Sequence, residues 1–179
     1  VQVTDAKNLQ RGLVLTNQLA EAGASLVLAL NMTDEAEQRG ISIDAQRLSS
    51  KLGIPVIPTV AVRAQGVDQL KSQLDAARHP TLHVTYDDRI EGAISRVEHL
   101  LPPLPMGSRA VSIMLLCGDH ALYDRLSRRA ESQNLKSIPP ITAELQSHYA
   151  RPLAYVIGRY RAKEIQKIVA EVTSGKGST

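Results

Sequence analysis

Asn31-Met32-Thr33-Asp34 directly follows the apolar run over residues 24–30 and is the part of this chain best suited to chemistry. In an open α/β sheet, ligands bind beyond the carboxyl ends of the strands, which is where this tetrapeptide falls if 24–30 is a strand. An ionised carboxylate is a pure acceptor, so Asp34 can take both neighbouring N–H donors on the edge of a guanine, whereas adenine presents the wrong edge. The Asn31 amide can bond the base and brace neighbouring loops, and Met32 can cover a ring face. Asn-x-x-Asp alone equally suits an Asx turn followed by a helix cap. A second candidate loop, Thr59-Val60-Ala61-Val62-Arg63, ends the next strand and leads through Gly66 into a helix.

Other reactive residues carry less. Cys117, Asp119 and His120 lie within four positions, but three potential ligands do not close a metal site, and His79, His83, His99 and His148 cannot be placed around them. A packed cysteine followed by a helix cap is the simpler reading. Gly175-Lys-Gly-Ser-Thr179 contains a Gly-Lys string but lacks the upstream glycine, preceding strand and following helix of a phosphate loop, and reads as a tail. No nucleophile, base and orienting acid stand in a recognisable arrangement, so no catalytic residue and no metal ligand is assigned.

The elements that must position the two loops follow from periodicity. Leu9, Leu13, Leu15, Leu19 and Ala22 predict a helix stopped at Gly23, and 24–30 is a short buried parallel strand. Residues 31–40 read as a polar segment. Asp44 can cap a helix through Leu48 and Leu52 to Gly53, residues 55–59 form a second strand, and Gly66 opens a helix over 67–77 with Val67, Leu70 and Leu74 on one face. The alternation is that of a doubly wound α/β sheet, with Val1-Gln2-Val3 as the tail of a third strand. Two complete strands do not make a covered sheet, so residues 1–80 are expected to be the C-terminal half of a larger α/β domain. Residues 81–179 are expected to form an all-helical domain, with helices over 87–101, 110–117, 121–133 and 141–172, the last bending near Arg151-Pro152, and with no further strand.

Composition narrows the class. The 179 residues carry 21 Lys+Arg against 18 Asp+Glu, a net charge of +3, and 43% hydrophobic residues, which excludes wholesale disorder. Up to residue 80 the charges balance at 8 and 8, and the whole excess lies after it. The concentrations at Arg125, Arg128, Arg129 and at Arg159 and Arg161 are interleaved with acids and read as solvated helix faces, so no nucleic-acid partner is expected. Aromatic residues are five Tyr, all at 86 or later, leaving a core of Leu, Ile, Val and Ala. No leader pattern opens the chain, no apolar run approaches the ~18 residues of a membrane span, and one cysteine precludes an intramolecular disulfide and suits a reducing compartment.

Extended strings go further. Asp5-Ala-Lys-Asn-Leu-Gln-Arg11, Leu28-Ala-Leu-Asn-Met-Thr-Asp-Glu-Ala-Glu37 with Arg39-Gly-Ile41, Leu52-Gly-Ile-Pro-Val-Ile-Pro-Thr59 and Gly66-Val-Asp-Gln-Leu70 cover nearly all of the first 80 residues. In these strings the chain resembles the guanine-nucleotide domain of the bacterial ferrous iron transport protein B (FeoB) family. Less specifically, Tyr86, Ile90-Glu91, Arg109-Ala-Val, Leu115-Leu-Cys-Gly-Asp119 and Arg159-Tyr160-Arg161 resemble its regulatory helical domain, although the family usually has Glu where this chain has Cys117.

The resemblance implies GTP or GDP as ligand, with Mg²⁺ in the intact protein, and guanine contacts from Asn31, Met32, Thr33, Asp34 and the Val60-Ala61-Val62 backbone. Family members often carry Ser before or at the position of Ala61, where this chain has Val60-Ala61, so the loop's backbone donor is kept but side-chain bracing is lost. It also implies a helical domain that brakes nucleotide release and leads into a transmembrane permease for Fe(II), at the cytoplasmic face of the bacterial inner membrane. The Gly-x4-Gly-Lys-Ser/Thr loop, the switch Thr and the Asp-x-x-Gly loop of GTP hydrolysis do not occur in these residues; the family places them before the position of Val1. The chain is therefore expected to be a soluble fragment, inactive by itself, whose partners are the missing N-terminal half of the nucleotide domain and the permease. The alternative is a stand-alone helical interaction module with a vestigial base loop and no GTPase activity. An incomplete sheet exposes an edge, so some self-association is expected.

Overall fold

The computed structural model describes residues 1–129 and 133–175. Along the chain lie β1 (Gln2–Asp5), α1 (Leu9–Glu21), β2 (Leu28–Asn31), α2 (Thr33–Gln38), β3 (Ser42–Ile43), α3 (Ala45–Leu52), β4 (Val56–Thr59), α4 (Val67–Ser72), α5 (Asp88–Glu98), α6 (Ser108–Leu116), α7 (His120–Arg129), α8 (Ile138–Ser147), α9 (Leu153–Val172) and β5 (Thr173–Ser174). Contacts divide them into two compact units, Val1–His83 with Arg161–Thr179, and Val84–Tyr160.

In the first unit β1, β2 and β4 form a parallel sheet in that order, with α1 and the α2–α3 segment as the crossovers that parallel pairing demands. Its register sets Asp5, Asn31 and Thr59 in one row, so three successive strands end level at the carboxyl edge. Both faces of β2 are buried: Leu28 and Leu30 join Leu13 of α1, Leu48 and Leu52 of α3 and Ile165 of α9 in one cluster, while Val27 and Ala29 are buried as well. Each fully buried leucine contributes about 1.5–3 kcal/mol of transfer free energy, so this cluster holds the sheet edge in place. The end signals act as their residue types dictate: the Asp44 carboxylate accepts the Arg47 N–H at 2.8 Å, and Gly53 closes α3 in the left-handed region at φ 68°.

The structure departs from the periodicity reading in several places. The segment 31–40 holds α2, which buries only Ala36 and so shows no apolar stripe. The helix after Gly66 ends at Ser72 and buries nothing, a 3-10 turn follows over Leu74–Ala76, and Leu74 is exposed. The expected single helix over 141–172 is two, α8 and α9. Pro139 and Pro140 lie in the first turn of α8, where a missing N–H costs nothing, so the helix starts before them. A further strand also exists: β5 pairs antiparallel with β3, Ser42 opposite Ser174 and Ile43 opposite Thr173. Two-residue strands more than 100 positions apart leave no local signature.

Residues 81–179 were assigned by sequence to one helical domain, but by contacts α9 is shared, and from Arg161 onward it belongs with the α/β part. Ile165, Ile168 and Val172 enter the α/β core. Arg161 forms an ion pair with the buried Glu21, and Glu171 pairs with Lys51 and, more weakly, Arg47 of α3, which hold its carboxyl below the usual carboxylate range.

The second unit packs Ile90, Ile94 and Val97 of α5 against Val111, Leu115 and Leu116 of α6, Ile141 and Leu145 of α8 and Ile157 of α9. A polar cluster sits beside it. Asp87 caps α5 by accepting the Arg89 and Ile90 N–H groups at 3.1 Å, and it also accepts the hydroxyls of Tyr149 at 2.7 Å and Tyr160 at 3.1 Å. Arg109 pairs with Glu91 and lies 5.4 Å from the centre of the Tyr86 ring. Asp119 accepts the Leu122 N–H at 2.9 Å at the start of α7, the cap expected after Cys117. No group of three or more His, Cys, Asp or Glu among the described residues could hold a metal, and no described helix is long and apolar enough to cross a membrane. Residues 130–132 of the expected helix over 121–133, and the Lys176–Thr179 part of the Gly-Lys string, lie outside the described residues.

Candidate functional site

Asn31 closes β2, and its Oδ1 accepts two donors from across the sheet edge, the Ala61 N–H at 3.1 Å and the Thr59 hydroxyl at 3.2 Å. The Asx turn that the tetrapeptide also allowed would instead bond Asn31 to its own backbone; here it ties β2 to the loop after β4. With Oδ1 held by protein donors, its amide NH₂ is the group left to offer a ligand acceptor. Thr33 adds a second tie, its hydroxyl donating to the Thr59 carbonyl at 3.4 Å.

Met32, between them, adopts φ 62°, a left-handed conformation costing a non-glycine residue about 1–2 kcal/mol. The turn it makes sends the chain from strand to helix within one residue and leaves the Met32 side chain partly exposed. Asp34 follows in the first turn of α2. Its Oδ1 accepts the Glu35 N–H at 3.0 Å and its Oδ2 lies 3.5 Å from Nη2 of Arg63; the side chain is 20% exposed. Glu35 in turn pairs with Lys7, just past the end of β1, so all three strand ends are joined by polar contacts.

The second loop is a closed ring. Val60 and Gln65 exchange N–H···O bonds of 3.0 and 3.2 Å, with a 3-10 turn over Ala61–Arg63 between them and Ala64 at φ 55°. Gly66 sits at φ 76° with its Cα against the strand: a Cβ there would meet the Pro58 carbonyl oxygen at 2.2 Å. The three loop residues singled out by sequence therefore differ. Val60 is buried and its backbone is spent on Gln65; the Ala61 N–H is spent on Asn31; Val62 is almost fully exposed. Two of these backbone donors thus hold the loop, Val60 within the ring and Ala61 across to β2.

The sequence places Thr59 and Arg63 at the ends of the second candidate loop without naming their partners, and it singles out neither Lys7 nor Glu35. Thr59 could have been found from its place at a strand end level with Asn31. The others depend on the path of the loop and on α2, which leave no pattern in the sequence.

A parallel α/β unit that carries a polar constellation at its carboxyl edge, together with a helical unit, defines a P-loop-NTPase-like half sheet joined to an all-helical domain. Residues 1–74 match the family described as ferrous iron transport protein B, and residues 86–174 match the FeoB cytosolic helical domain. The chain belongs to the FeoB family. The Fe(2+) transporter FeoB of Escherichia coli K12 is 36% identical over 139 residues, an alignment covering 75% of this chain and 18% of the transporter. The chain thus spans under a fifth of the length of such curated relatives. An NFeoB mutant of S. thermophilus bound to GDP superposes with a TM-score of 0.81 at 30% identity, over 96% of this chain and 67% of that one. The cytosolic domain of L. pneumophila FeoB gives 0.77 at 30% identity, over 96% and 66%.

Proposed function

We propose that the carboxyl edge of the first unit reads the guanine base of GTP or GDP, and that the helical unit couples nucleotide state to Fe(II) passage in a longer membrane transporter. The observation that carries this is the joining of Asn31 to Ala61 and Thr59, with Asp34 three residues on in the first turn of α2. It builds a half-buried carboxylate and an amide donor into a frame whose own hydrogen bonds are already satisfied. Such preorganised acceptors and donors discriminate bases because an adenine would leave the carboxylate facing an acceptor. Asp34 would accept from the base edge, Asn31 would donate from its amide NH₂, Met32 would cover one ring face, and Val62 would lie at the loop's outer rim.

GTP with Mg²⁺ supplies the phosphoryl group for hydrolysis. The residues cradling it belong, in this reading, to a phosphate loop in a preceding segment of the same protein, and a permease region completes the transporter at the cytoplasmic face of the membrane. Self-association through the sheet edge is part of the same proposal.

The test is fluorescent GDP binding to this chain and to one extended upstream through the phosphate loop, with unlabelled GDP and ADP as competitors. The extended chain should bind with Mg²⁺ dependence and prefer GDP, and Asp34→Ala should abolish that preference. Tight, Mg²⁺-dependent binding by the short chain, or equal competition by ADP, overturns the reading.

A further inference from the structure

We propose that Arg63 is a built-in competitor of the guanine base, holding the Asp34 carboxylate when the base is away and so slowing nucleotide capture and lowering affinity. This rests on the assignment of Asp34 as the base-reading group. A guanine edge needs both carboxylate oxygens, one for each of its neighbouring N–H donors. In the structure both face protein donors: Oδ1 takes the Glu35 N–H at 3.0 Å and Oδ2 faces Nη2 of Arg63 at 3.5 Å. The Glu35 N–H comes from the helix backbone and stays with Oδ1, whose second lone pair is open to a base donor. The Arg63 guanidinium is on a side chain that is 64% exposed and free to swing outward.

The backbone beneath Arg63 makes this more than a passing surface contact. Val60 and Gln65 clamp the loop at both ends, the Arg63 N–H donates to the Val60 carbonyl at 2.9 Å, and the next residue, Ala64, turns left-handed. The loop therefore presents Arg63 toward the first turn of α2 in one orientation. A base can bind only the fraction of molecules in which the guanidinium has left, and apparent affinity falls by that fraction. An exposed arginine pairing with a partly buried carboxylate favours the closed arrangement by about two- to fivefold.

The test uses the chain extended through its phosphate loop, with Arg63→Gln and Arg63→Ala, which alter a side chain outside the core. Both variants should bind fluorescent GDP about three- to sixfold more tightly, with the change in the association rate. The gap between wild type and variant should narrow as salt rises, because screening loosens the wild-type pair. Unchanged or weaker GDP binding by both variants, or a gap that ignores salt, overturns the proposal; weaker binding would mean that Arg63 contacts the base instead of competing with it. Loss of the underlying reading shows separately, as wild-type protein that fails to prefer GDP over ADP.

Discussion

Single side chains in this protein serve two kinds of purpose, and Asn31 and Asp87 illustrate them. Asn31 spends its carbonyl on Ala61 and Thr59, which places a loop; Asp87 collects four donors, which fixes a helix start against two tyrosines. Burial alone would raise the Asp87 carboxyl, but the hydroxyls of Tyr149 and Tyr160 with the Ile90 and Arg89 N–H groups outweigh it and hold it below the usual aspartate range. Burial, then donation to Asp87, pushes the Tyr149 and Tyr160 hydroxyls upward. A lowered carboxyl contributes stability that is present above its unfolded value and lost as pH falls through the folded one. The raised phenols contribute below their unfolded value, near 10, and lose that contribution as pH rises past it. The second unit should therefore lose stability at both pH extremes, and Asp87→Asn should flatten both limbs of its thermal melting temperature against pH. Parallel wild-type and mutant profiles would show that the cluster is not responsible. Much of this scale was readable in advance: Asn31 and Asp34 stand out by type and spacing. Their partners were not, because Thr59 and Arg63 meet them only after the chain has made another crossover and returned.

Among the elements, the strands and long helices follow from apolar runs and their end signals, as α1 ending before Gly23 and α3 capped by Asp44 show. Elements that depend on distant partners escape that reading. Helix α2 is six residues long with one buried side chain, and β5 is two residues held by β3. The Gly66 junction joins the two groups, since a glycine before a helix is an obvious signal but its reason is tertiary. A side chain there would strike the Pro58 carbonyl and strain a positive φ, so Gly66→Ala should displace the Val60–Gln65 ring from β4. Its expected cost is about 2–4 kcal/mol, read as a fall in melting temperature, with GDP preference lost in the extended chain. An alanine variant that melts and binds like wild type would show that the ring is not held at this point.

At the level of the whole molecule, the parallel sheet has β1 on its outside with a neighbour on one side only among the described residues, and Val1 and Val3 are exposed beside it. Open edges of this kind pair with other chains. Sedimentation velocity on this chain should show concentration-dependent association, and Val3→Lys should suppress it. A monomeric profile at every concentration would exclude edge pairing.

The amino-acid sequence by itself determined the family, the two kinds of structure along the chain and the position of the Asn-x-x-Asp tetrapeptide at a strand end. These depend on local composition, on periodicity and on strings of adjacent residues. Tertiary structure alone decided that Asn31 holds the second loop, that Val60 and Ala61 have spent their backbone donors, that Arg63 faces Asp34 and that α9 from Arg161 onward completes the α/β core. Apart from the Val60–Gln65 bond within the loop, each of those depends on residues tens to more than a hundred positions apart, brought together by packing that no local pattern encodes.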